Sequence, residues 1–272
     1  MKRGMSAPQR LPELQRLPLL DESRAREIAQ RLGAISGGRV LDVCTGSGDF
    51  ISTLLRTLKD YERFVGVDWS KQGLKKAAKQ FRGRPVQLLQ MDAENLAFEA
   101  GAFDTVCIAY SLHHLGNPAG VLAEMKRVLR PGGHFILKEN FQGGAQTKAQ
   151  ITDTLRHHWT ARIDRAFGEI HNETLTCAQI AALLRQLALA ELTLVESSRD
   201  VKCLWCSRRF DCENPRSRKL ANEFVREIQK DLKRLKALAA ADQLRAEGEA
   251  LRARARETGI SDASSLVAIG EK

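Results

Sequence analysis

Val40-Leu41-Asp42-Val43-Cys44-Thr45-Gly46-Ser47-Gly48-Asp49-Phe50 decides how this chain is read. An apolar run with strand character passes into a turn of small residues that opens a helix. Glycines in such a turn let the backbone approach a ligand with no Cβ in the way. Outward from it, the patterning predicts strands over residues 39–44, 63–68, 86–91, 104–110 and 133–139, with helices over 49–58, 70–81 and 118–129 among them. Strands that alternate with helices need crossover connections, so the sheet is mostly parallel and covered on both faces. The continuous apolar runs Phe64-Val65-Gly66-Val67 and Phe135-Ile136-Leu137 fit strands buried on both sides. A helix over 146–167 carries Ile151, Leu155, Trp159, Ile163 and Phe167 at intervals of four, as one stripe. A helix over 177–189, a strand over 192–198 and the closing run Ser265-Leu266-Val267-Ala268-Ile269-Gly270 complete an α/β, doubly wound, mostly parallel seven-stranded sheet.

Three further marks follow the turn at telling distances. The second strand ends in Asp68, an acid placed to bridge a ribose diol. The third ends in Met91-Asp92-Ala93, and Leu129-Arg130-Pro131-Gly132-Gly133 is a turn that sends the chain from helix into sheet. Together with Val67-Asp68-Trp69-Ser70, Phe103-Asp104 and Tyr110-Ser111-Leu112-His113-His114-Leu115, these marks resemble the class I S-adenosylmethionine-dependent methyltransferases, over about residues 39–139. The similarity is greatest to the small-molecule branch that includes the ubiquinone and menaquinone methyltransferases. Position by position, the resemblance implies that Asp42, Thr45, Gly46, Ser47 and Gly48 line the methionine end of the donor. It implies that Asp68 holds the ribose with Trp69 against the adenine, that Met91, Asp92 and Ala93 meet the adenine edge, and that Tyr110 and Ser111 border the sulfonium. Cys44 departs from the pattern, standing where many members have their first glycine. A nicotinamide dehydrogenase is the main mimic; against it, Asp42 precedes a Cys-x-Gly-x-Gly turn, and a carboxylate so close repels a pyrophosphate.

Methyl transfer from a sulfonium is an in-line displacement that depends on holding nucleophile and methyl collinear, so the absence of a triad is uninformative. Candidate general bases are His113, His114 and His158, each with a plainer reading as a packed or helix-surface histidine, and Glu139 is a candidate polar contact to substrate. The Asn/Asp-Pro-Pro-Tyr type signature of amino-methylating nucleic-acid enzymes is missing after the fourth strand.

About sixty residues separate the sixth strand from the last. The division expected is a leader and helix over 1–36, a donor-binding core over 37–200 plus 262–272, and a Cys-containing basic helical insertion over 201–261 that folds back as a hairpin and lids the substrate site. Leu220, Phe224, Ile228, Leu232, Leu235 and Leu238 give the insertion an amphipathic helix. At its root Cys203, Cys206 and Cys212 form Cys-x2-Cys-x5-Cys, half of a zinc motif; the alternatives are a redox role or ordinary cysteines.

Across 272 residues, 43 Lys+Arg against 33 Asp+Glu leave a formal charge of +10, concentrated in the leader and the insertion. Glu223, Glu227 and Asp231 interleave with the insertion's cations, which reads as a solvated face, with a nucleic-acid contact as the alternative. No apolar run is long enough to span a bilayer and the basic N-terminus lacks an apolar core, so a cytoplasmic protein is expected. The functional expectation is methyl transfer from S-adenosylmethionine to a small molecule. Its rivals are a nucleic-acid or protein methyltransferase that grips its polymer through the insertion, and a donor-binding regulator without turnover.

Overall fold

A computed structural model describes residues 22–198, 204 and 214–272. Its elements, in chain order, are α1 (Glu22–Gly33), β1 (Arg39–Val43), α2 (Asp49–Thr57), β2 (Arg63–Asp68), α3 (Lys71–Gln80), β3 (Val86–Gln90), β4 (Phe103–Ala109), a 3-10 turn (Leu112–His114), α4 (Pro118–Val128), β5 (Leu129–Asn140), α5 (Lys148–Ala166), α6 (Cys177–Gln186), β6 (Ala190–Ser197), α7 (Arg218–Arg234), a second 3-10 turn (Leu235–Ala237), α8 (Asp242–Thr258) and β7 (Ser265–Glu271). The sheet order is β3-β2-β1-β4-β5-β7-β6, and β7 runs antiparallel to both of its neighbours. The chain leaves β1 toward β3 on one side and returns to β4 on the other. The carboxyl ends of β1 and β4 therefore flank the point where a ligand crevice opens in such sheets.

Alternate strand residues feed two cores. Leu41, Val43, Val106, Ile108 and Leu137 pack under α4 and α6 on one face. Val40, Phe64, Cys107, Ile136 and Val267 pack under α1, α2 and α3 on the other. The starts of four helices are set by local capping: Ser70, Asn117, Thr147 and Thr176 each accept the backbone N–H three residues on.

Two expectations change. The Leu129–Gly133 segment is not a plain turn before a strand, because Leu129 already pairs with Phe103 and the register shifts before His134 pairs with Thr105. Both Phe103 and Leu129 are buried, so the strand reaches back to keep them in the core, and Gly132 at φ +68° absorbs the bulge. The stripe on α5 also divides: Trp159 and Ile163 are fully buried, while Ile151, Leu155 and Phe167 are 38%, 41% and 40% exposed. Steps of four residues drift by about 40° each on a 3.6-residue helix, so four such steps wind off one face.

Trp159 and Ile163 instead anchor the predicted hairpin. With Phe224, Ile228, Leu235, Leu251 and Ile260 they form a third cluster between α5, α7 and α8. Gly248 lets α8 approach, since a Cβ there would lie 2.6 Å from the Trp159 ring, and Trp159 Nε1 donates to Leu244 O at 2.8 Å. Burial of side chains this size contributes about 1.5–3 kcal/mol each, more than surface ion pairs at up to about 1 kcal/mol, so packing holds the hairpin on α5. Cys203, Cys206 and Cys212 lie outside the described residues. Among the described residues, no helix is long and apolar enough to cross a membrane.

Candidate active site

A cavity of about 670 Å³ opens at the carboxyl ends of β1 to β4. That volume suits a nucleoside-sized ligand. The turn after β1 forms its floor. Cys44, at φ 58°, holds the left-handed conformation that a glycine would take, followed by Gly46 at φ 53°. Thr45 N–H donates to Val67 O at 2.9 Å, tying the turn to the end of β2. The departure at Cys44 therefore leaves the turn's shape intact.

Asp42 is buried at the head of the turn, where it accepts hydrogen bonds from the Thr45 hydroxyl and, at 3.3 Å, the Cys107 thiol. Burial pushes its pKa up to about 7 against the pull of those hydrogen bonds, with the Asp68 carboxylate adding to the rise. Asp68 accepts Gly46 N–H at 2.7 Å and Ser70 N–H at 2.6 Å, so it braces the turn and the start of α3 together. Burial and the carboxylates of Asp68, Asp42, Asp92 and Glu139 push the Cys44 thiol up to about 12, which keeps it a neutral wall and not a nucleophile.

Most residues expected at the donor site meet here. Asp42, Thr45, Gly46, Ser47, Asp68 and Trp69 line the cavity, and so do Met91, Asp92, Ala93, Tyr110 and Ser111. Trp69 is 74% exposed, leaving a ring face available for stacking. Tyr110 adopts φ 53°, a costly conformation for an aromatic residue, at the end of β4. Gly48 does not join the cavity wall. It caps α2 at φ 88°, and a Cβ on it would lie 2.3 Å from the Phe81 ring, so this glycine serves the packing of α2 on α3. Phe50, Gly73 and Leu115 line the cavity without having been expected there. Gly73 carried a signal: glycine in the first turn of α3 allows the approach to Gly46 O, which a Cβ would meet at 3.0 Å.

Of the candidate catalytic groups, His114 lines the cavity and the others do not. Partial desolvation and the neighbouring His113 and His171 rings push its pKa down to about 4. Glu139, expected to touch substrate, is 1% exposed and engaged internally. One of its oxygens accepts Ser111 N–H at 2.9 Å and Leu112 N–H at 2.7 Å, and the other faces His113 Nδ1 at 3.0 Å. It fixes the loop after β4. His158 bonds to Thr174 Oγ1 at 2.8 Å and so ties α5 to the loop before α6. The described residues of the hairpin do not line the cavity. They reach its surroundings through Arg234, which donates to Asp164 on α5 at 2.6 Å.

A methyltransferase-domain family profile matches residues 41–137. The chain is 34% identical over 116 residues to the ubiquinone/menaquinone biosynthesis C-methyltransferase of Desulfotalea psychrophila, covering 43% of this chain and 47% of that one. It is 34% identical over 113 residues to the demethylmenaquinone methyltransferase of Lactococcus lactis, covering 40% and 45%. The chain thus spans about half the length of the curated relatives it matches. Among solved structures it resembles phosphoethanolamine N-methyltransferase 2 of Haemonchus contortus bound to S-adenosyl-L-methionine (TM-score 0.53, 15% identity, 92% of this chain and 52% of that one). It equally resembles SpnF, a cyclase (TM-score 0.55, 18% identity, 92% and 80%), and at such identities the likeness concerns the fold alone. The methyltransferase-domain match thus spans the left-handed turn, the acids near the ends of β1, β2 and β3 and the loop after β4, the elements that build the cavity.

Proposed function

We propose that the chain transfers the methyl group of S-adenosylmethionine to a small-molecule acceptor. The observation that carries this reading is the charge of the cavity: Asp42, Asp49, Asp68 and Asp92 line it, with no lysine or arginine among its described lining residues. Such a wall favours a donor bearing a sulfonium and an ammonium and opposes a dinucleotide pyrophosphate. The backbone of the turn and Asp42 receive the methionine end, Asp68 the ribose, Trp69 the adenine face, and Asp92 with Ala93 its edge. Tyr110 and Ser111 border the methyl group. Positioning and exclusion of water supply the rate, and the neutral His114 imidazole, on the wall beside them, accepts a proton from the acceptor where one must leave.

The acceptor class is argued from two sides. The matched relatives are named for quinone biosynthesis, which supports a small acceptor. The hairpin's Arg234, Arg245 and Arg252 pair with Asp231, Asp242 and Glu249, which supports a solvated face over a polymer grip. Helices α7 and α8 enter this reading as support for α5 on the acceptor side. Deleting residues 208–257 would bare Trp159 and Ile163, so Arg234→Gln is the cleaner probe of that role. Its expected result is unchanged donor affinity with reduced turnover.

The test is calorimetry with S-adenosylmethionine followed by a labelled-methyl screen against small-molecule extract and against RNA at rising salt. Small-molecule turnover should barely respond to salt, whereas polymer methylation collapses with it. Absence of donor binding, or label that enters only RNA, defeats the proposal.

A further inference from the structure

Five imidazoles gather beside the donor cavity, from the loop after β4 (His113, His114), from α5 (His157, His158) and from the loop before α6 (His171). One ring nitrogen from each of His113, His157 and His171 lies within 4.8 Å of the other two. The Nε2 atoms of His157 and His171 are 3.4 Å apart. Two nitrogens bound tetrahedrally to one zinc ion at about 2.0–2.1 Å would stand about 3.3 Å apart. The far sides of two of these rings are already held: Nδ1 of His113 lies 3.0 Å from Glu139 Oε1, and Nδ1 of His171 lies 2.6 Å from Asp164 Oδ2. A carboxylate at Nδ1 keeps the ring proton there and leaves Nε2 with a free lone pair, which is how metal-ligating histidines are oriented.

We propose that His113, His157 and His171 bind a divalent late transition metal ion, zinc above all, with Glu139 and Asp164 as the orienting carboxylates. Three imidazole nitrogens suit zinc, cobalt, nickel or copper, whereas calcium and magnesium take oxygen donors. Without an ion, the carboxylate-held protons leave His157 to donate through Nε2 to His171 across 3.4 Å, a weak contact. An ion replaces it with three bonds while the His157 proton moves to Nδ1. Support continues outward, since the second oxygen of Asp164 accepts from Arg234 on α7 at 2.6 Å. Three protein ligands leave a fourth position for water. His114, whose ring centre is 4.3 Å from that of His113 and 4.2 Å from that of His171, is shared between this cluster and the cavity wall.

The test uses full-length protein without a histidine tag, stripped with chelator and titrated with zinc against a chromophoric competitor. One equivalent is expected to bind, and X-ray absorption is expected to show nitrogen and oxygen at about 2.0–2.1 Å with no sulfur near about 2.3 Å. His157→Gln and His171→Gln should each lower the affinity at least about 100-fold, and Asp164→Asn about 10- to 100-fold, with circular dichroism confirming that each is folded. A variant carrying Cys203→Ser, Cys206→Ser and Cys212→Ser should keep the ion. The proposal is overturned if wild-type protein binds no zinc, if sulfur appears in the first shell, if the cysteine variant loses the ion, or if both histidine variants bind as wild type does. Because wild-type spectroscopy needs no mutant, a misfolded variant leaves the proposal decidable.

Discussion

Gly46 and Gly48 sit two residues apart in one turn, yet substituting alanine at each should damage different properties. At Gly48, φ is 88° and a Cβ would come within 2.3 Å of Phe81 Cε2 and 2.8 Å of its Cζ. Phe81 is 4% exposed and caps α3, so it has little room to retreat. The left-handed backbone costs about 1–2 kcal/mol for a residue with a Cβ, and overpacking a core adds about 1–3 kcal/mol, giving about 2–5 kcal/mol for Gly48→Ala. At Gly46, φ is 53° and nothing lies within 4 Å of the Cβ position, so only the backbone cost of about 1–2 kcal/mol applies. That Cβ stands in the open space of a residue lining the cavity, where the donor must approach the backbone. Urea unfolding should therefore rank Gly48→Ala as the more destabilised variant. Calorimetry with S-adenosylmethionine should rank Gly46→Ala as the weaker binder by at least about tenfold, with folded Gly48→Ala near wild type. Equal destabilisation by the two substitutions, or the reverse order in binding, refutes the assignment of one glycine to the ligand and the other to the core.

Three further outcomes are expected. Donor affinity should be full above pH of about 7 and fall by up to about tenfold per unit below it as Asp42 takes up a proton, while Asp42→Asn should show a flat profile by calorimetry. The His157 pKa, lowered to about 2 from an ordinary value near 6.5, makes the unfolded chain bind more protons. Its contribution to stability is intact above pH of about 6.5 and is lost as the pH falls, by about 2 kcal/mol at pH of about 5. Urea melts with chelator present should show a smaller loss in His157→Gln than in wild type, the remaining loss coming from His114, whose pKa is lowered to about 4. Trp159→Phe removes the donor to Leu244 O and leaves space against Gly248, at a cost of about 2–4 kcal/mol, measurable by thermal melting; a change under about 0.5 kcal/mol would contradict the anchoring of the hairpin on α5.

Much of the site could be read before any fold was known. Asp42 and Asp68 lie in the last two residues of β1 and β2 and Asp92 just beyond β3, and parallel strands bring their carboxyl ends to one edge whatever their side-chain details. The expected starts of α3, α4, α5 and α6, at residues 70, 118, 146 and 177, lie within two residues of those observed, where each helix is opened by a cap between residues three apart. Glu139 was misread as a substrate contact. Its place at the end of β5 was visible, but whether a carboxylate there points to ligand or to loop depends on the backbone N–H groups of Ser111 and Leu112, nearly thirty residues away.

By itself, then, the sequence determined the alternation of strands and helices, the small-residue turn, the acids at one edge of the sheet and the resemblance to a methyltransferase domain, since all of these rest on period, spacing and local bonding. Tertiary structure alone decided that Gly48 packs while Gly46 faces the cavity, that Ile151 and Leu155 turn outward, and that the hairpin rides on α5. It also decided that His113, His157 and His171 converge from three separate segments. The physical reason is common to these cases: each depends on the direction of a side chain relative to a neighbour remote in the chain, and only packing sets that direction.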